Sequence, residues 1–415
     1  MKLIAIVLAV ITHVTVIDTT GGPPLRDVSV VIRDGRIADI GASVEIPKDA
    51  QVIDGRGKFL IPGLWDMHVH LSWTTDSALP LLLANGVTGV RDLGSDLREL
   101  DEWRTKIDCG VLAGPRIYRA GPILNGRSFN KYQLVPGSPE ATRGVARALK
   151  QVGVDFIKVH RRMERESYFA LIDEAKKLDI RVVGHVPMSV TPEEASDAGQ
   201  ATIEHVETLF EGVFAAALPK GADFPDAMRD WRATHGNALF AKFVKNGTVV
   251  DPTLIAYRYF EGGDPRLKYV AKSVRKPPVF TADEAKQLTR KLNEYKETVR
   301  QMNASGVTLL AGSDISGPRV PGFTLQDELV LLVESGLTPM QALQAATINP
   351  SRVLGSDTGA IAKGKLADLV LLDANPLDDI RNAQKIDAVI AQGRVYRRAD
   401  LDRLLDEGEK LAARR

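Results

Sequence analysis

The feature that most limits the fold of this chain is a rhythm that changes and then returns. Residues 1–61 carry short apolar runs between turns, at Val14 to Asp18, Val28 to Ile32, Ile37 to Ile40 and Gln51 to Asp54. Arg33-Asp34-Gly35-Arg36 joins the second run to the third, and Asp-Gly between β-branched stretches predicts a hairpin. From Leu64 the spacing lengthens. Runs at Trp65 to His68, Gly86 to Asp92, Arg116 to Ala120, Val154 to Val159, Arg181 to His185, Ala201 to His205, Gly247 to Val250 and Thr308 to Gly312 alternate with helical stretches such as Tyr168 to Leu178 and Asn237 to Lys245. About eight βα repeats predict a parallel (β/α)8 TIM barrel, for which ~250 residues is usual. After Asp357 the short strands return, at Ala367 to Asp373 and Ala388 to Ala391, with Gln392-Gly393-Arg394 as a turn.

This order predicts an α/β protein in which the two ends meet. A barrel over residues 62–358 is expected, with residues 1–61 and 359–415 forming a composite β-sandwich domain. The last stretch, Leu401 to Arg415, is expected to be a charged helix with a solvated face. The 415 residues are 44% hydrophobic and 26% charged, which suits a folded globular chain rather than a disordered or membrane-embedded one. Lys+Arg 54 against Asp+Glu 53 leaves a net charge of +1, too little field to hold a nucleic acid. A small-molecule substrate is the expected partner, and a homo-oligomer is left open. Cys109 is the one cysteine, so neither an internal disulfide nor a thiolate metal cluster is available.

Lys2 and the apolar run Leu3 to Ile11 resemble a short signal sequence, but fall well below the ~20 residues that span a bilayer. The run continues into an alternating strand with no polar region before a cleavage site. A plain first strand in a cytoplasmic protein is the favoured reading; a cleaved signal would make the protein periplasmic or secreted.

Four of the seven histidines fall at the ends of barrel-strand candidates. His68 and His70 are two apart on a strand, so both leave the same face and can chelate one ion, with Asp66 beside them. His185 ends the fifth strand, His205 the sixth and Asp314 the eighth. In a parallel barrel these ends converge on one rim, where catalytic groups sit. A lone histidine on an apolar strand is usually a core residue; four with an aspartate at one rim point to a metal. Lys158, within the buried-looking Phe156-Ile157-Lys158-Val159, favours its neutral amine because burial penalises the ammonium.

Pro62-Gly63-Leu64-Trp65-Asp66-Met67-His68-Val69-His70, with Ile157-Lys158-Val159, Gly184-His185, Glu204-His205, Gly312-Ser313-Asp314 and Lys363-Gly364-Lys365-Leu366-Ala367-Asp368-Leu369-Val370, resembles the amidohydrolase superfamily. The imidazolonepropionase-like, Xaa-Pro dipeptidase-like branch is the nearest match. The resemblance implies two divalent metal ions, with Zn²⁺ suited to nitrogen and oxygen ligands. His68, His70 and Asp314 would hold the first, His185 and His205 the second, and Lys158, carboxylated by CO₂, would bridge them. It also implies hydrolysis of C–N bonds in small carboxylate-bearing amides such as dipeptides or N-acyl amino acids. Asp314 would move the proton. His160 would face the same pocket and meet the oxyanion or a substrate carboxylate, and Arg127, Tyr257, Arg258 and Tyr259 would contribute substrate contacts. Arg91-Asp92 is read as a structural ion pair under the site, while His13 and His235 lie outside it.

Two departures limit the carry-over. The loop Gly121 to Asn130 lacks the Gly-His element common after the third strand, and Gln326-Asp327-Glu328-Leu329 lacks the histidine common before Asp-Glu-Leu. Both segments are expected to face the substrate. Cyclic amides, lactones and aryl-amide toxins therefore stay open as substrates, and a metal-free scaffold stays open as the remote alternative.

Overall fold

The computed structural model describes residues 8–74, 76–258, 264–275 and 280–414. Tyr259 and the first residues of the signal-like run, Lys2 to Val7, lie outside the described residues. The described residues form a mixed α/β structure with three sheets.

The two ends of the chain share one eight-stranded sheet. Its order is Arg394–Arg397, Ile386–Ala391, Leu369–Leu372, Phe59–Pro62, Ala9–Val16, Leu25–Arg33 and Arg36–Gly41, with Gln51–Asp54 also paired to Ala9–Val16. The seam between the ends is antiparallel, with Leu369 opposite Pro62 and Leu372 opposite Phe59. Side chains alternate along these strands. Leu60, Leu369 and Leu371 enter a core of their own, while Ile61, Val370 and Leu372 join the main core. Burial on both faces explains why these stretches read as unbroken apolar runs. Asp34 and Gly35 take φ of 53° and 71° in the expected hairpin. In Ala9–Val16 the register shifts between Ile11 and Val14, around His13 at φ 55°. That bulge changes the alternation, so Ile11 and Val14 face the same core.

In the middle of the chain, Leu64–Val69, Val87–Asp92 and Arg116–Arg119 form one parallel sheet. Phe156–Val159, Arg181–Gly184, Thr202–Glu204 and Val249–Asp251 form another, extended by two-residue strands at Ile123–Leu124 and Gln133–Leu134. The eighth expected strand, near Thr308, is present as single parallel bridges, Leu309 to Val250 and Ile315 to Val69. Gly312 passes close to its neighbours, since a Cβ there would sit 2.3 Å from Asp251 Oδ2 and 2.7 Å from His68 Cβ; on either side of it Met67 N donates to Ala311 O at 3.0 Å and Asp314 N to His68 O at 2.8 Å. On the other side Asp155 N donates to Arg119 O at 2.9 Å, joining the two parallel sheets.

The terminal helix Arg398–Ala413 departs from the expectation of a merely solvated helix. Leu401, Leu404, Gly408 and Ala412 are buried at helical spacing. A Cβ at Gly408 would lie 2.5 Å from Leu81 of the helix Ala78–Ala84, so a bare glycine lets the two helices approach.

Candidate metal centre and active site

The strand ends bring the predicted residues together. His68 is fully buried, and its Nε2 lies 3.6 Å from Asp314 Oδ1; His70 Nε2 lies 3.4 Å from the same oxygen. The rings of His68 and His205 are 4.7 Å apart, as are those of His205 and His185. His68, His205 and Asp314 offer ligand atoms within 4.8 Å of one another. Lys158, His70, His160, His185, His205, Asp314 and Tyr257 all line one cavity of ≈ 250 Å³.

The backbone is bent to achieve this. His205 has φ 67° and Asp314 φ 50°, both unusual for residues with a side chain. Asp314 is held by its N–H, which donates to His68 O at 2.8 Å. Such strain persists where the surroundings impose it, as at functional sites.

Two ring tautomers can be assigned from their partners. His70 Nδ1 lies 3.2 Å from Gly94 O, a pure acceptor, so Nδ1 carries the proton. Thr253 donates its hydroxyl to Pro252 O at 2.9 Å and so accepts from His205 Nδ1 at 2.6 Å. Both rings then present an unprotonated Nε2, as a metal ligand must.

Electrostatics agrees with ligation. Burial holds the His205 and His185 rings well below their ordinary values, and pushes His68 and His160 down to about 3, with Lys158 adding to the effect on the latter two. All four are neutral at pH 7. Burial also lowers Lys158 to about 8, with Glu204 opposing and Arg91 assisting. Burial would raise the Asp314 carboxyl, but the charged group beside it, Arg319 foremost, keeps it well below the ordinary carboxylate range. Both ring nitrogens of His68, Nδ1 of His185 and Lys158 Nζ are buried with no hydrogen-bond partner. Buried donors and acceptors are rarely left so, and this donor set fits a divalent metal ion.

Several second-rank expectations are corrected. Asp66 does not share the ligand atoms; it accepts from Ser313 N at 2.9 Å, from the Ser313 hydroxyl and from His68 N at 3.3 Å, fixing both strand ends. Arg91 pairs with Glu204 at 2.7 Å, not with Asp92, which instead accepts from Leu71 N and the Ser95 hydroxyl. Gln326 turns away from the cavity and donates to Asn85 O and Ala383 O, while Glu328 accepts from Leu254 N and Ile255 N. Arg127 and Arg258 are exposed and do not line the cavity.

The arginines that do line it are Arg161 and Arg319, beside Trp73 and Glu207. Arg319 donates to Asp314 O at 2.9 Å and stands 3.3 Å from its carboxylate. Its sequence signal is the Gly317-Pro318 turn just after Asp314, which folds the chain back. Trp73 stacks on His70 with ring centroids 4.5 Å apart.

The sequence profile of the Amidohydrolase family matches residues 59–396. The chain belongs to the amidohydrolase family. This makes it a hydrolase of the kind that acts on carbon–nitrogen bonds, in line with the expectation from its motifs. It is 25% identical to ochratoxinase of Aspergillus niger over 440 aligned positions, covering 89% of this chain and 82% of the relative. It is likewise 25% identical to imidazolonepropionase of Symbiobacterium thermophilum, covering 85% and 86%. Among solved structures, a Bifidobacterium longum protein assigned as a prolidase superposes with TM-score 0.71 at 29% identity, covering 97% of this chain and 99% of that one. Among the described residues, no helix of this family member is long and apolar enough to cross a membrane.

Proposed function

We propose that this amidohydrolase is a dinuclear enzyme that cleaves amide bonds in small carboxylate-bearing substrates, dipeptides or N-acyl amino acids. The observation that carries the reading is Lys158: its amine is buried, has no hydrogen-bond partner, and lines the same cavity as His70, His185, His205 and Asp314. A neutral amine is the form that attacks CO₂, and the resulting carbamate is anionic with two oxygens for two cations. The hydrogen bonds on either side of the Thr308 to Ile315 segment support a closed (β/α)8 barrel over residues 62–358, with the shared terminal sheet as the base of a composite sandwich domain.

His68, His70 and Asp314 would hold one divalent ion, His185 and His205 the other, with Zn²⁺ suited to these ligands. When bound, such ions polarise a carbonyl and bring a water's pKa toward neutrality. Asp314, ionised and tied by Arg319, takes the proton released on attack and returns it to the departing nitrogen. His160 lines the cavity with a neutral ring and donates to the oxygen that becomes negative as the carbonyl carbon turns tetrahedral. Tyr257, Arg161 and Arg319 supply donors for the substrate carboxylate, a role that passes from Arg127 and Arg258 to the arginines of the cavity wall.

The test is metal analysis of protein purified with Zn²⁺ and bicarbonate, beside a hydrolysis panel of Xaa-Pro, Xaa-Arg and Xaa-Lys dipeptides, N-acyl amino acids, imidazolone propionate and lactones. Two ions per chain and preference for free over amidated carboxylates are expected. One ion, with Lys158→Ala fully active, would overturn the dinuclear reading. Turnover of ring substrates alone would replace amide cleavage with ring opening.

A further inference from the structure

The charges on the cavity wall do not all cancel within the protein. Arg161 Nη1 donates to Glu211 Oε1 at 2.6 Å, and Arg319 stands 3.3 Å from the Asp314 carboxylate. A guanidinium has several N–H donors, so both arginines can still meet a substrate carboxylate while their charge is matched from within. Glu207 is different. Of the carboxylates and guanidinium groups that line the cavity, it alone has no partner of opposite charge among the described residues. Its polar neighbours are phenols: burial pushes Tyr257 and Tyr295 up, and Glu207 is the next cause in both. A phenol can donate a hydrogen bond to a carboxylate but leaves its charge in place.

The backbone around Glu207 is fixed. It belongs to the 3₁₀ turn Val206–Phe210 that follows His205, and the other four residues of that turn are buried. Thr208 N donates to His205 O at 3.1 Å, the Thr208 hydroxyl to Glu204 O at 3.1 Å, and Val206 N to Pro252 O at 3.2 Å. These bonds tie the turn to the strand end that carries Glu204 and His205, so Glu207 meets the cavity beside the candidate metal ligands. Ions that polarise a carbonyl repel an ammonium on the neighbouring carbon, and a substrate with a free amino terminus therefore needs an anion at that place. In a cavity of ≈ 250 Å³ the α-ammonium, separated from the scissile carbonyl by the α-carbon alone, reaches such a carboxylate with less chain than a lysine side chain does.

We propose that Glu207 binds the free α-ammonium group of the substrate's acyl residue, so that dipeptides are preferred over N-acyl amino acids that lack a cation at this position. This rests on the amide-hydrolase reading above and narrows its substrate class. The zwitterion is then met at both ends, its carboxylate by Arg161 and Arg319 and its ammonium by Glu207. A neutral group at the same place strips water from Glu207 without supplying a donor, and that mismatch sets the preference.

The experiment compares alanyl-proline and alanyl-leucine with their isobutyryl counterparts, in which a methyl group replaces the ammonium at nearly the same volume. We expect kcat/KM to be at least ~tenfold higher for the amino substrates, chiefly through KM, because the ion pair is made alike in the ground and transition states. Glu207→Gln should lower that ratio at least ~fivefold, and Glu207→Asp, which keeps the charge, should restore part of it. ε-Aminocaproyl-proline, a lysyl analogue without the α-amino group, should be as poor as the isobutyryl substrates. In parallel, calorimetry of ketomethylene isosteres of alanyl-leucine with and without the amino group, which cannot be hydrolysed, reads the same contact without chemistry. A smaller preference in the parent protein, a ratio that survives Glu207→Gln, or ε-aminocaproyl-proline matching alanyl-proline would each overturn the proposal. The first of these needs no variant, so it decides even where the variants fail to fold. If no amide is cleaved but the amino isostere binds more tightly than its deamino partner, and Glu207→Gln removes the difference, the hydrolytic reading fails and Glu207 keeps its role. Absence of both cleavage and selective binding sinks both.

Discussion

Arg91 donates to Glu204 at 2.7 Å in a core where neither side chain has any exposed surface. The guanidinium also bonds Met67 O and the Thr202 hydroxyl, and lies 3.7 Å from Asp251. Burial, with Glu204 alongside, pushes Asp251 well up, so one net negative charge meets one positive charge beneath the site. Removing either partner leaves the other uncompensated. Arg91→Ala or Glu204→Ala should cost about 3–5 kcal/mol, and the double variant less than the sum. Denaturant midpoints of the four proteins test this; a single-variant loss under 1 kcal/mol would contradict it.

Glu328 gives the protein a pH dependence of the opposite kind from a surface ion pair. Burial raises its carboxyl from 4.5 to about 8, against the lowering effect of the Ile255 and Leu254 N–H groups. Between these values the folded state holds a proton that the unfolded chain has released. Stability from this group is therefore greatest below pH 4.5 and declines as pH rises toward 8. Glu328→Gln, which resembles the protonated acid, should flatten that part of the Tm-against-pH curve. An unchanged slope between pH 5 and 8 would refute it.

Asp314→Asn should separate chemistry from ion binding. The amide keeps an oxygen near His68 and His70 Nε2 but cannot take a proton. Turnover should drop by about 10²–10⁴-fold while metal content falls far less. Parallel losses of both would assign Asp314 to ligation alone.

Gly408→Ala sets two effects against each other. Within a helix the change gains roughly 0.5–1 kcal/mol. Its Cβ would press on buried Leu81, and such overpacking costs typically ~1–3 kcal/mol. The packing term should win, giving a lower Tm. A rise in Tm would mean that Leu81 yields freely.

The site was legible where chemistry is written in neighbouring residues. His68 and His70, two apart on one strand, both come close to Asp314, as their spacing suggests, and Asp34-Gly35 announces its hairpin. What was hidden depends on chain segments meeting in space. Nothing local says that Arg91 reaches Glu204, 113 positions away, rather than the adjacent Asp92. Along a strand, neighbours point to opposite faces, and that alternation works against a pair formed by residues next in sequence. Likewise the family resemblance puts Gln326 at the substrate, but its side chain instead donates to Asn85 O and Ala383 O. Near Thr308, where an eighth strand was expected, the described residues form only single bridges to Val250 and Val69, which the apolar run by itself does not foretell.

The seam between Phe59–Pro62 and Leu369–Leu372 also bears on how the protein is made. The first of these strands leaves the ribosome long before its partner is translated. At ~5–20 residues per second the wait is on the order of tens of seconds. During that time Leu60 and Ile61, both fully buried in the finished protein, border an open strand edge. A message truncated before Leu369 would release a chain whose edge can pair only with that of another molecule. Chaperone dependence and aggregation of nascent or shortened products should therefore concentrate at this seam, far from the residues that do the chemistry.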